Sequence, residues 1–167
     1  MLQVSLTGAD TLATRLETLP AAVQAAVRAK AADLAERLRA HVVDDKLSGQ
    51  VLRSKTGALA ASIGAEVTVD GDAVVARVFS SGDLKYARIQ EYGGQTPAHD
   101  IIPNKAKVLA FITGGETVFA RIVHHPGSTI PERSYLRSSL ADMAGVIAGE
   151  LKAAVLGALA AQVGGAE

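Results

Sequence analysis

The fold is decided by residues 65–80, whose sequence is AEVTVDGDAVVARVFS. Apolar and polar side chains alternate along the first half of this segment, and a period of two is typical of a half-buried β-strand. Gly71 and Asp72 then supply a turn signal, and residues 74–80 form a second apolar run. The segment therefore predicts an antiparallel hairpin.

Helical patterns lie on both sides of this hairpin. Apolar residues recur every three or four positions over residues 12–42 and again over residues 136–155. Pro20 predicts either a kink in the first helix or the start of a second one. Pro131 predicts the start of the last helix, because proline is favoured at the first helical position. A long helix is therefore expected near each end of the chain.

Two more apolar runs, residues 108–113 and 118–123, surround a Gly-Gly pair and predict a second pair of strands. Residues 95–107 are rich in proline and polar side chains, which predicts a loop. We expect an α+β fold, in which a small antiparallel β-sheet packs against a long N-terminal helix and a long C-terminal helix. No change in composition marks a linker, so a single domain is expected over residues 1–167.

The composition disfavours several functional classes. The chain has 17 Lys and Arg against 17 Asp and Glu, so it lacks both the basic excess of a dedicated DNA-binding protein and the surface charge of a typical free monomer. Aromatic residues make up only 4%, which disfavours an aromatic ligand pocket. No cysteine is present, so neither disulfides nor thiolate zinc sites are expected. The longest apolar run, residues 153–161, is too short to span a bilayer, so no membrane partner is expected.

No group of residues has the spacing of a catalytic or metal site. His124 and His125 would point in different directions on a strand and cannot easily share one ion, so we assign them to a polar loop. His41 and His99 are isolated in sequence, and no serine has a nucleophile-elbow context. We expect no catalytic residue, no metal, no cofactor and no enzymatic activity.

Two further classes of protein lack the features that they need. A small toxin or nuclease-like domain would require a His–Asp–Lys or metal constellation, and the sequence predicts none. A DNA-binding regulator would require a basic recognition helix, whereas both predicted end helices carry mixed charge.

Four stretches in a fixed order carry a family resemblance. They are LSGQVLRSKTGALAASI at 47–63, YARIQEYGG at 86–94, IIP at 101–103 with KVLAF at 107–111, and IPERSYLRSSL at 130–140. Together they resemble the neck or tail-completion family of long-tailed phages and gene transfer agents, whose members are also described as head–tail joining or minor tail proteins. The family outline is similar to R-T-G-x-L-x-x-S-I, then Y-A-x-x-x-E-F/Y-G, then R-P-F/Y-L-R-P-A. Lys55 replaces the first arginine of this outline, and the segment P-E-R-S-Y replaces R-P-F/Y.

The resemblance implies a structural protein of the virion neck, assembled in the bacterial cytoplasm, that joins head to tail as a ring around the DNA channel. A six-fold ring of identical copies is implied, with the head connector or stopper proteins on one side and the tail terminator or tail tube protein on the other. A tail terminator or head-closure (stopper) ring is the alternative function. Residues 47–55 and 95–107 are the expected neighbour-reaching loops, and non-specific contact of the first with channel DNA is left open.

The motifs also supply the candidate structural and interface residues. Thr56 is expected to cap a short helix, Gly57 to allow an unusual backbone turn, and Glu91 to pair with Arg53 or Arg133. Packing within the subunit would explain each candidate equally well. The full set is Arg53, Lys55, Thr56, Gly57, Leu59, Tyr86, Glu91, Tyr92, Gly93, Gly94, Pro131, Arg133, Tyr135 and Leu136.

Overall fold

The structure is a computed structural model that describes residues 9–164, without residues 54, 72, 83 and 105. Side chains are described over residues 20–162, without that of Lys85. Contacts divide the chain into two compact units, the first formed by Met1–Leu84 with Tyr135–Glu167 and the second by Lys85–Ser134. The expectation of a single domain over residues 1–167 stays a prediction.

Helices and two-stranded ribbons make up both units. In chain order the elements are α1 (Ala9–Ala40), a π-helical turn (His41–Lys46), α2 (Ala58–Ala61), β1 (Ile63–Asp70), β2 (Ala73–Ser80), α3 (Lys85–Tyr92), β3 (Gly94–Gln95), β4 (His99–Ile101), β5 (Leu109–Thr113), β6 (Glu116–Ala120), β7 (Val123–His125), β8 (Thr129–Ile130) and α4 (Leu136–Gly164). The α+β class, the antiparallel pairing and the long end helices are confirmed. The described strands form four separate ribbons, β1–β2, β3–β8, β4–β7 and β5–β6, instead of one sheet.

Helix α1 runs through Pro20 without a break, so no second helix starts there. It passes directly into the π-helical turn, where the N–H of Leu47 donates to the carbonyl of Val42 at 3.0 Å. The helix thus ends just before Ser48, where the sequence predicts its end. Leu34 and Val42 are buried, and they form part of the core of the first unit.

The hairpin predicted from residues 65–80 is confirmed as β1–β2. Its antiparallel register runs from the Ile63–Ser80 pair to the Asp70–Ala73 pair, which closes the turn. Helix α1 lies against both of these strands and also against α4. The first unit is therefore organised around α1.

The second unit contains strands where the sequence predicts loops. Residues 95–107 include β4, which pairs with β7 through the His99–His125 and Ile101–Val123 pairs. The assignment of the adjacent histidines to a loop is therefore wrong, and that of residues 95–107 is wrong at Gln95 and at His99–Ile101. Their partners are more than 20 residues away in sequence, and three-residue strands carry too little alternation to be predicted. Residues 86–92, compatible with helix or strand, lie in α3.

The last helix begins later than predicted. It starts at Leu136, whereas Pro131 lies in an exposed non-helical segment, so the placement of Pro131 at the helix start is wrong. Two constraints hold this segment extended. Ile130 of β8 pairs with Gly94 of β3, and the N–H of Arg133 donates to the carbonyl of Gln90 at 2.8 Å.

Helix α4 is long and strongly apolar. By length and composition alone, Leu136–Gln162 could cross a membrane, so the conclusion from residues 153–161 that the apolar stretch is too short is wrong. Within this range, however, Glu150 forms ion pairs with Lys30 (3.2 Å) and Arg37 (2.7 Å) of α1. One side of α4 is therefore engaged by protein, and the expectation of no membrane partner stays a prediction.

Candidate interaction surfaces

The basic loop of residues 47–55 is closed by backbone hydrogen bonds. The carbonyl of Lys46 accepts two N–H groups from within the loop, at 2.9 and 3.1 Å. The backbones of Ser48 and Arg53 form a further bridge. The side chains of Arg53 and Lys55 are exposed, so this loop presents positive charge on a fixed backbone.

The T-G-x-L motif shapes the start of α2. The cap position of α2 is held by Gly57 and not by Thr56, although the Thr56 hydroxyl accepts a long hydrogen bond from the N–H of Ala58 at 3.4 Å. Gly57 has a φ of +74°, a left-handed conformation that glycine adopts without steric cost. Leu59 is buried. These residues form the local turn that leads into β1.

The Y-A-x-x-x-E-Y motif forms α3, whose acidic residue is buried. Glu91 is 3% exposed, and its carboxylate accepts a hydrogen bond from the hydroxyl of Ser134 at 2.9 Å. This bond joins α3 to Ser134 of the fourth motif within the second unit. The expected pairing of Glu91 with Arg53 or Arg133 stays a prediction.

The glycine pair after α3 permits a close approach of two backbone segments. Gly93 has a φ of +67°, and a Cβ placed there would lie 2.8 Å from the backbone nitrogen of Glu132. Gly94 begins β3. Tyr86 and Tyr92 remain 42% and 58% exposed, so α3 presents two aromatic side chains at the surface.

The fourth motif divides into exposed and buried parts. Pro131 and Arg133 are exposed. Tyr135 is 1% exposed, and its carbonyl accepts a hydrogen bond from the buried Ser139 hydroxyl at 2.7 Å. Leu136 is half-buried at the first position of α4. Tyr135 and Leu136 therefore anchor the start of this helix.

Four titratable side chains meet at the π-helical turn, those of His41, Asp45, Lys46 and Asp142. His41 lies 2.5 Å from Asp45 through Nδ1 and 3.2 Å from Asp142 through Nε2. The nearly buried Lys46 ammonium lies 2.7 Å from the same Asp142 oxygen. The hydrogen bond from Lys46, and then that from His41, lowers the pKa of Asp142.

The prediction that no His–Asp–Lys set exists is therefore wrong. Such a set can support proton transfer, but both ring nitrogens of His41 are engaged by carboxylates and neither is available to a substrate. The cluster instead ties the π-helical turn to α4. The spacing of four residues between His41 and Asp45 could have indicated that these two side chains meet. Asp142 is 101 positions from His41 and gave no such signal.

A second ionic contact joins α1 to α4, through Lys30, Arg37 and Glu150. The hydrogen bond from Arg37, followed by that from Lys30, lowers the pKa of Glu150. The same contact raises the pKa of Arg37.

The β4–β7 ribbon carries the remaining histidines. The His99 and His125 rings stack with centroids 5.0 Å apart, while His124 pairs with Asp100 on the other face. The adjacent histidines thus point to opposite sides, as predicted. Gly127 donates its N–H to Nδ1 of His125 at 3.0 Å and so occupies that lone pair. The described residues hold no group of three or more side chains that could bind a metal ion.

Exposed apolar side chains are concentrated on the β5–β6 hairpin. Ile112 and Phe119 lie on one face and are 77% and 66% exposed. Phe111 and Val118 pair on the other face and are 39% and 36% exposed. The sequence gives no sign of this surface, because an apolar run in a predicted strand normally indicates a buried core.

A family model described as "Bacteriophage HK97-gp10, putative tail-component" matches residues 10–93. The match covers half of the chain, from α1 to the residue after α3, and includes the first motif and all but the last residue of the second. The chain belongs to this family. It is thus a structural protein of bacteriophage type, a tail component associated with the virion. No curated protein and no solved structure matches the chain.

Proposed function

We propose that this tail component is a neck subunit that joins head to tail, as one copy in a ring around the DNA channel. Family membership carries the proposal. The apolar side chains exposed on β5–β6 add support, because exposed apolar surface is typical of subunits that are buried in an assembly. The zero net charge favours the same conclusion.

The proposed ring has six copies and lies between the head connector or stopper proteins and the tail terminator or tail tube protein. It assembles in the bacterial cytoplasm and belongs to the neck of a phage or of a gene transfer agent. In each subunit, we propose that the small antiparallel β1–β2 ribbon packs against both long helices, α1 and α4. A tail terminator or head-closure (stopper) ring is the alternative.

The proposed action is mechanical and needs no catalysis, metal or cofactor. The His41 cluster is the group of side chains most similar to an acid–base site. Both ring nitrogens of His41 contact carboxylates, so neither is available to a substrate, which supports the proposal. Weak, non-specific contact with channel DNA would use Arg53 and Lys55, which are exposed on the loop of residues 47–55.

Electron microscopy of particles from cells with an in-frame deletion of the gene tests this function. We expect DNA-filled heads beside separate tails, and joined particles when the intact gene is restored in trans. Overlong tails would favour the terminator instead, and heads that have lost their DNA would favour the stopper. Normal, joined and infectious particles would overturn the neck assignment.

A further inference from the structure

The β5–β6 hairpin has the properties of a surface that a partner covers. An isolated two-stranded ribbon is marginally stable in water, and neither strand has a second partner strand among the described residues. Its elements pack mainly on each other. Apolar side chains are nevertheless exposed on both faces, with Ile112 and Phe119 the most exposed.

The exposed area is large for so small an element. Ile112 and Phe119, which share one face, together expose on the order of 300 Å², the lower end of the largest apolar patch on an ordinary monomer. A stable interface takes about 800 Å² from each partner. One face of the hairpin could therefore supply about a third of one side of such an interface.

The chemistry of the hairpin identifies the kind of surface that it fits. Its only charged side chain is Glu116 beside the turn, so neither phosphates nor a strongly charged protein surface would match it. The complement is a shallow apolar surface with few charges.

The same chain offers such a surface on α4. Val146 and Leu156 are 46% and 55% exposed, and they flank Gly149, where a side chain would meet nothing within 4 Å. No residue in the most apolar 18-residue window of this helix is buried. The helix thus has a largely apolar face that the described part of the chain leaves uncovered, and the exposed Lys152 lies between Gly149 and Leu156 on this face.

We infer that the β5–β6 hairpin of one copy docks on the exposed face of α4 of the next copy. Two different patches meet in this contact, so it is heterologous and can close into a ring. The inference rests on the proposed ring, because it names the surfaces through which neighbouring subunits would touch. It commits to a second copy of this chain as the occupant of both patches.

Cysteine cross-linking between two full-length variants tests the contact directly, because the chain has no cysteine of its own. One variant carries Ile112→Cys and the other Leu156→Cys, and a short bis-maleimide is added to their mixture. We expect a 112–156 cross-link at least fivefold above that from Ile112→Cys mixed with Glu36→Cys, a site on the exposed face of α1. A 112–112 cross-link in excess of the 112–156 product would overturn the inference.

Sedimentation over a concentration series provides the second readout. Wild type should self-associate, and Ile112→Thr with Phe119→Thr should weaken association at least tenfold, while Thr117→Ser on the same face should not. Leu156→Gln should cause the same loss through a substitution that a helix tolerates. Association that survives both the hairpin and the Leu156 variants would overturn the inference.

Two other outcomes also count against this contact. A wild-type chain that stays monomeric at every concentration would overturn it. So would a monomeric chain that floats with phosphatidylcholine vesicles, if the Leu156→Gln variant no longer floats with them. Either result leaves the deletion phenotype as it is, so failure of the contact can be told apart from failure of the neck assignment. If the deletion strain gives separated heads and tails but the 112–156 cross-link fails, the protein is a neck subunit whose copies contact each other through other surfaces.

Discussion

Helix α1 and the β5–β6 hairpin use their apolar side chains in opposite ways. In α1, Leu34 is 3% exposed, and the charged residues Lys30 and Arg37 hold α4 through Glu150. In the hairpin, Ile112 is 77% exposed. Burial in α1 stabilises the subunit itself, whereas exposure on the hairpin leaves free energy of burial available to a partner. The comparison separates residues that hold the subunit together from residues that we propose join it to others.

The largest effect on the free subunit is expected from Leu34→Ala. This substitution leaves a cavity in the core of the first unit and should lower the free energy of unfolding by about 2–5 kcal/mol. Urea denaturation followed by circular dichroism measures it. Arg28→Ala on the exposed face of the same helix is the control and should change stability by no more than about 0.5 kcal/mol. An equal effect of the two substitutions would contradict the burial assigned to α1.

The two motif glycines are expected to differ in importance. Gly57→Ala meets open space and incurs only the cost of a left-handed backbone, about 1–2 kcal/mol. Gly93→Ala has the same backbone cost and also places a methyl group against the backbone of Glu132, so about 2–4 kcal/mol is expected. Thermal unfolding of the two variants ranks them. A less stable Gly57→Ala variant would show that the close approach at Gly93 is not as described.

Acid should weaken the contacts that hold α4. The pKa values of Asp142 and Glu150 are lowered in the folded state, so their stabilising effect is complete above about pH 5. It is lost as the pH falls through the ordinary carboxylate range and then through the lowered folded values. Melting temperatures between pH 7 and pH 3 should fall less steeply for Asp142→Asn with Glu150→Gln than for wild type. Thr117→Ser, an uncharged change, should follow wild type, and parallel curves for all three would exclude this linkage.

The smallest effect on the free subunit is expected from Ile112→Thr. Most of this side chain is already in water, so the free energy of unfolding should change by no more than about 0.5 kcal/mol. Hydrogen exchange of the monomer measures both local and global stability. A loss as large as that of Leu34→Ala would remove the contrast between α1 and the hairpin.

Regular, long elements could be predicted from the sequence because their own residues carry the period. Helix α1 and the β1–β2 hairpin show it over many positions, and both are confirmed. The β4–β7 ribbon was missed because each strand has three residues and pairs with a distant segment. Pro131 was placed wrongly because its helix-start preference was overridden by the backbone bond between Arg133 and Gln90.

The motif residues were found in the sequence, but their surroundings were not. Glu91 and Tyr135 are buried, while Tyr92 and Arg53 are exposed, and spacing alone does not separate these cases. The His41 cluster was half visible as an i, i+4 pair with Asp45. The exposed apolar faces of β5–β6 could not be predicted, because a strand pattern does not state whether anything covers it.

The position of the protein in the particle tests the central claim most directly. A subunit with a C-terminal hexahistidine tag that restores infectivity to the deletion strain can be labelled with nickel-coated gold and located by electron microscopy. If the protein is a neck subunit, gold should lie at the junction between head and tail, in a single layer. Gold along the tail tube or at the tail tip would contradict it.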